Sequence, residues 1–132
     1  SIFDLAILEY QIYLSTYRSD PIAYRLIGNS YMNLNNYQDA IINYRKASEL
    51  FNHEDINTLY HLGKCYFLIE DFKNSTKYYK SIIRIEHNHP EAHAELVKTY
   101  YALNKFKEAK KECDILFMLD RSLFNTLEYC YN

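Results

Sequence analysis

Tryptophan is absent from this 132-residue chain, and glycine and proline occur only twice each. A strand-rich domain needs more turn residues, and its β-branched residues run in alternating blocks; here they are scattered. So few punctuating residues point instead to helices joined by very short turns. No run of about 18 apolar residues is present, which argues against a membrane-spanning helix. The segment from Ser1 to Glu9 lacks the cationic start of a secretory signal. A formal net charge of −2 gives no general attraction to a phosphate backbone or an anionic membrane. Cysteine is also scarce. Cys65, Cys113 and Cys130 are odd in number and lack metal-ligand spacing. Reduced, mostly buried thiols in a cytoplasmic or nuclear protein are therefore expected. A start at Ser1 without methionine is expected of an excised or processed segment.

What is present is a folded composition, 48% hydrophobic and 24% charged, rather than a disordered one, and a repeat. The two glycines fall in one column: Ile27-Gly28-Asn29-Ser30-Tyr31 aligns with Leu62-Gly63-Lys64-Cys65-Tyr66 and then with Leu96-Val97-Lys98-Thr99-Tyr100. A large residue stands four positions before each glycine column site, at Tyr24, Leu59 and, less ideally, His93. An apolar residue follows at Leu34, Ile69 and Leu103. These sites recur at three- and four-residue intervals, the stripe of a helix. After the polar pairs Asn35-Asn36, Glu70-Asp71 and Asn104-Lys105 comes a second stripe. It holds an aromatic (Tyr37, Phe72, Phe106), a small residue (Ala40, Ser75, Ala109), and then Tyr44, Tyr79 or Cys113.

The period continues past both ends, with Phe3, Ala6, Tyr10 and Tyr13 before the whole repeats and Leu127 and Cys130 after them. The spacing predicts helices over about 3–16, 21–34, 37–50, 56–69, 72–86, 90–103, 106–119 and 123–131. One solenoid over residues 1–132 is expected, with a partial repeat 1–20, repeats 21–55, 56–89 and 90–123, and a partial repeat 124–132. Pro21 and Pro90 fit first helical turns, where a missing N–H costs nothing, and Asp20 fits an N-cap. An interior glycine costs roughly 1 kcal/mol, so two in one column imply close helix packing. An unrelated bundle would also show stripes, but not size-matched columns every 34 or 35 residues.

The columns resemble the tetratricopeptide repeat family, from Phe3 nearly to the C-terminus. They carry its bulky-Leu-Gly-Tyr and its Ala-Phe/Tyr-Ala signatures. The departures are Val97 for glycine, Ser75 for alanine and Cys113 for an aromatic. The resemblance implies an all-α, right-handed superhelix of helix-turn-helix repeats whose first helices line a concave groove. Peptide-binding candidates on that groove are Arg25 and Asn29, then Asn57, Tyr60, Lys64 and Phe67, and finally Glu91, Glu95, Lys98 and Tyr101. Rigid aromatics there would give contact area at low entropy cost, and Arg25 and Lys64 would receive an acidic group.

The function expected is a protein-interaction scaffold taking an extended or helical peptide. The alternatives are a module for multisubunit assembly or self-association, and a regulatory repeat region of a larger enzyme. Some relatives clamp the carboxylate tails of Hsp70 and Hsp90 between basic groove residues. Arg25 and Asn29 match part of that clamp, but His61 replaces an asparagine and Glu91 and Glu95 stand where basic residues belong, so a standard tail clamp is not expected.

No phosphate loop, thiol–histidine signature or paired-histidine metal motif occurs. His87, His89 and His93 straddle a helix junction, so no metal, cofactor or catalytic role is expected. Lys105, Lys107, Lys110 and Lys111 are interrupted by Glu108 and Glu112, and read as a salt-laced helix face, not a nucleic-acid surface.

Overall fold

The computed structural model describes residues 1–131; Asn132, the last residue of the expected terminal repeat, lies outside the described residues. Eight helices follow one another: α1 (Ile2–Thr16), α2 (Pro21–Asn33), α3 (Tyr37–Leu50), α4 (Ile56–Leu68), α5 (Phe72–Ile85), α6 (Pro90–Ala102), α7 (Phe106–Leu119) and α8 (Arg121–Asn125). A 3-10 turn over Glu128–Cys130 ends the order. No strand occurs among the described residues. The first seven helices end within two residues of the spacing-based boundaries. Contacts are densest within the antiparallel pairs α2/α3, α4/α5 and α6/α7, and each pair also packs on the next. This is the tetratricopeptide-type helical solenoid.

Local chemistry sets the boundaries. Asp20, Asn36, Asp55, Asp71 and Asp120 each accept a backbone N–H in the first turn of the helix that follows, satisfying a donor the helix cannot pair internally. His89 does the same through Nδ1, 3.1 Å from the Ala92 amide. Within each pair the polar connector is a left-handed turn: Asn35, Glu70 and Asn104 have φ of 58°, 62° and 58°. The next amides, of Asn36, Asp71 and Lys105, reach back to the carbonyls of Tyr31, Tyr66 and Tyr100 at 2.8–2.9 Å. This hydrogen-bonded helix ending ordinarily recruits glycine. Asparagine and glutamate occupy the position here, which is why the chain turns so often with so little glycine.

The glycine column is explained by a ring. A Cβ placed on Gly28 would lie 2.7 Å from the ring of Tyr44, and one on Gly63 would lie 2.6 Å from the ring of Tyr79. Tyr44 and Tyr79 are fully buried, so each tyrosine lies flat against a helix backbone that carries no side chain at that point. Ser75, in the alanine column, donates from Oγ to the Gly63 carbonyl at 2.8 Å, which satisfies its buried hydroxyl. In the third pair Val97 and Cys113 share a cluster with Ala94, Leu116 and Leu127. There the smaller Cys113 leaves the volume that the Val97 side chain occupies.

Two expectations are corrected at the C-terminal end. Cys113 and Cys130 are joined in a disulfide with Cα atoms 5.5 Å apart, and Cys65 alone is a free, buried thiol. Three reduced thiols are therefore not what the fold contains, because the chain folds Cys130 back onto α7. The helix expected over 123–131 is also broken. Asp120 alone connects α7 to α8, so α8 starts at once and is five residues long. Its end is drawn off course by Thr126, whose hydroxyl donates to the Leu123 carbonyl at 2.7 Å. Leu127 still reaches the core, where it is 6% exposed.

Candidate interaction surfaces

The first helices α2, α4 and α6 carry the ten expected groove residues, and most of their polar groups have partners inside the chain. Arg25 pairs with Asp55 at 3.4 Å, each about one quarter exposed, while Asp55 caps α4 through the Thr58 amide at 3.0 Å. Asn29 accepts from the Tyr44 hydroxyl at 2.5 Å, so its carbonyl serves the core. Lys98 meets Glu95 at 3.0 Å. The Tyr101 hydroxyl donates to the Tyr129 carbonyl, with the two rings 4.7 Å apart. Phe67 packs edge-on against Phe72 at 5.2 Å. The Lys64 ammonium lies 5.9 Å over the Tyr60 ring, a weak cation–π contact, and makes no ion pair among the described residues.

Three of the ten come together elsewhere along the groove. Asn57, Tyr60 and Glu91 line an open cavity of about 400 Å³ with Ile56, His61 and His89. Burial, helped by the nearby carboxylates of Glu95 and Glu91, pushes the Tyr60 hydroxyl up to about 12, so it is a neutral hydrogen-bonding group there. The His61 ring is fixed by stacking 5.5 Å from Tyr44. The histidines near Pro90 do not gather: His93 Nε2 faces the His87 carbonyl, not its ring, at 2.9 Å. Among the described residues no three His, Cys, Asp or Glu converge in a way that would hold a metal ion.

Sequence reasoning missed a buried ionic contact. His93 is 3% exposed, and its Nδ1 lies 2.5 Å from Glu112 Oε2. Both ring nitrogens therefore face oxygen acceptors, a carboxylate and a carbonyl, which calls for an imidazolium. Although burial opposes the charge, the Glu112 carboxylate and the His87 carbonyl together raise the His93 pKa above its ordinary value. The signal in sequence is faint, because Glu112 lies 19 positions away.

The second surface missed is on α1. Ile7 and Leu14 face α2 and are buried, yet Ile2, Leu5, Leu8 and Ile12 are 75%, 63%, 54% and 62% exposed. These four lie three or four residues apart, as a second stripe along the same helix. Asp4 and Glu9 are its only charged side chains. A helix apolar on both sides belongs in an interior, and as the second helix of a partial repeat α1 presents this stripe on a face that a further repeat helix could equally cover. None of the described helices is long and apolar enough to cross a membrane.

Comparisons with known proteins agree with this geometry. The model of the family described as anaphase-promoting complex, cyclosome, subunit 3 matches residues 33–114. No curated protein matches by sequence. Among solved structures, MamA superposes with a TM-score of 0.90 at 19% identity, over 97% of this chain and 74% of that one. MamA from Desulfovibrio magneticus RS-1 gives 0.83 at 17% identity, over 90% and 67%. The first TPR of Spaghetti (RPAP3), bound to an HSP90 peptide, gives 0.74 at 18% identity, over 80% and 85%. At such identities these likenesses concern the fold.

Proposed function

The chain belongs to the family described as anaphase-promoting complex, cyclosome, subunit 3, and on that premise we propose that it is a protein-interaction module of a multisubunit assembly. The observation that carries this reading is the family match over residues 33–114; the stripe Ile2, Leu5, Leu8 and Ile12 on α1 supplies an apolar surface on which a further repeat helix or a partner could pack. Burying four such side chains against a partner helix contributes about 1.5–3 kcal/mol each before association costs. Subunit 3 of the anaphase-promoting complex, after which the family is described, is itself part of a multisubunit complex. The internal pairing of Arg25, Asn29, Lys98 and Tyr101 weighs the same way, because these groups would have to leave existing partners to take a ligand.

The test is affinity capture from an extract with the wild-type chain and a Leu5→Gln/Leu8→Gln/Ile12→Gln variant, with helicity checked by circular dichroism. The three positions are already in water, so the variant folds. Wild type is expected to retain a defined set of proteins, or a tagged second copy, that the variant loses. Identical capture by both overturns the assembly reading through α1.

A second reading is favoured by the cavity at Asn57, Tyr60 and Glu91. In it the groove takes a peptide through Arg25, Asn29, Asn57, Tyr60, Lys64, Phe67, Glu91, Glu95, Lys98 and Tyr101. Glu91 and Glu95 would repel a carboxylate tail of the Hsp70 or Hsp90 kind, so the groove suits a peptide presenting apolar or amide groups. The triple substitution Tyr60→Ala/Lys64→Ala/Tyr101→Ala should weaken capture of such a peptide while helicity is kept. Unchanged capture removes this reading.

A further inference from the structure

The outer face, formed by the second helices, contains a feature that neither α1 nor the groove explains. A cavity of about 600 Å³ opens between the end of α3 and α5, and the 51–55 connection walls one side. Arg45, Lys77 and Arg84 line it, and none of them makes an ion pair among the described residues. Only two carboxylates, the exposed Glu49 and Glu54, line the same space. An excess of cations is therefore concentrated here in a chain whose net charge is −2.

The cations are held near the opening. Arg84 donates to the Ser81 hydroxyl at 3.2 Å, and the Lys77 ammonium lies 5.6 Å over the Tyr78 ring. The wall is fixed as well. Asn52 and His53 take left-handed backbone conformations, with φ of 56° and 59°. The His53 amide reaches the Ser48 carbonyl at 2.8 Å, and its Nδ1 lies 3.2 Å from the Ser48 hydroxyl. This connection is one residue longer than the 86–89 connection between α5 and α6. The extra residue accounts for the 35-residue first interval and extends the wall.

A second cavity of about 370 Å³ shares Arg45 and Glu49 with the first and continues to Lys46 and the 64% exposed Ile42. Apolar groups accompany the cations in both: Tyr78 and the exposed Ile85 line the first cavity and Ile42 the second.

We propose that this outer face binds an acidic peptide segment of a partner protein, with carboxylates on Arg45, Lys77 and Arg84 and apolar side chains between them. The two cavities, of about 600 and 370 Å³ and sharing Arg45 and Glu49, offer more space than a single ion fills. Glu49 and Glu54 repel a uniformly charged phosphate backbone, whereas a peptide can set its carboxylates apart from them. This surface is separate from α1, so its failure and that of the assembly reading are distinguishable.

Fluorescence anisotropy with a short labelled peptide of alternating Glu and Leu tests the proposal directly. The variant Arg45→Gln/Lys77→Gln/Arg84→Gln, changed only at exposed helix positions, is expected to bind about tenfold or more weakly. A peptide with Gln for Glu should lose affinity similarly on the wild type. Removing three cations elsewhere, in Lys105→Gln/Lys107→Gln/Lys111→Gln, should leave affinity within about twofold, as should Leu5→Gln/Leu8→Gln/Ile12→Gln. The proposal is overturned if wild type does not bind the peptide or the outer-face variant binds equally. It also falls if the lysine control weakens binding as much, or if an oligonucleotide or inorganic phosphate displaces the peptide at lower concentration than free acidic peptide does.

Discussion

In the second helix pair Gly63 faces the ring of Tyr79, whereas in the third Val97 stands in the glycine's place and Cys113 in the tyrosine's. The two layers fill similar space from opposite sides. Where the ring is large, the facing backbone carries no side chain; where the ring is replaced by a thiol, the facing helix supplies the volume. The third layer adds two ties the second lacks, the Cys113–Cys130 disulfide and the buried His93–Glu112 contact. The comparison teaches that a departure from a repeat signature is read best in pairs, since each of these substitutions alone looks like damage.

The sharpest way to break the comparison is to move one half of the third layer's solution into the second. Gly63→Val drives methyl groups into Tyr79 and should cost about 3 kcal/mol, while Tyr79→Cys leaves a cavity and should cost about 4 kcal/mol. The double variant should lose less than both together, with a coupling of about 1–3 kcal/mol in a urea-unfolding cycle. Simple additivity would mean that the two positions do not compensate.

Cys130→Ser opens a cross-link between residues 17 apart and should remove about 3 kcal/mol. Hydrogen exchange should locate the loss at α8 and the following turn, and reductant should reproduce it in wild type. Cys65→Ser, at a thiol that burial pushes up to about 12, keeps the cross-link and should respond to reductant as wild type does.

The His93 contact predicts a pH dependence of definite sign. The folded pKa lies above the ordinary 6.5, so its contribution is fully present below that value and is lost as pH rises through the folded pKa. Thermal midpoints should therefore decline on the alkaline side, and His93→Gln should flatten the decline; an increase with pH would contradict the imidazolium.

The smallest effects separate the first and second layers. The Tyr44 hydroxyl has Asn29 as partner, at 2.5 Å. In the second layer Lys64 stands in that column, and the buried Tyr79 hydroxyl has no hydrogen-bond partner among the described residues. Burial raises the pKa of both hydroxyls, so each stays neutral. Tyr44→Phe should cost about 1 kcal/mol, and Tyr79→Phe should be neutral or stabilising by a similar amount. Equal losses at both would show that Tyr79 finds a partner.

The helix boundaries were legible because their causes are local: Pro21 and Pro90 at first turns, Asp20 as a cap, the polar pairs Asn35-Asn36 and Glu70-Asp71 at breaks, and stripes every three or four residues. The groove was legible as a set of positions but not as a state. Whether Arg25 is free depends on Asp55, thirty residues away, and whether Tyr101 is free depends on Tyr129. The α1 stripe was visible as apolar residues, yet periodicity does not say which of two apolar faces remains uncovered. The terminal helix departs from the expected 123–131 because the column pattern of Leu127 and Cys130 does not require a continuous helix: the disulfide, the single-residue connection and Thr126 give those residues other routes to the core.

By itself the sequence determined the repeat, its period, the helix ends and the need for close approach at Gly28 and Gly63, since propensity, capping and steric size act between near neighbours. Tertiary structure alone decided that Val97 and Cys113 compensate, that Cys113 joins Cys130, that His93 is held by Glu112, and that three cations with no ion pair among the described residues share one outer cavity. Those outcomes depend on distances between residues far apart in the chain. Such distances come into being only when the helix pairs stack and exclude water between them.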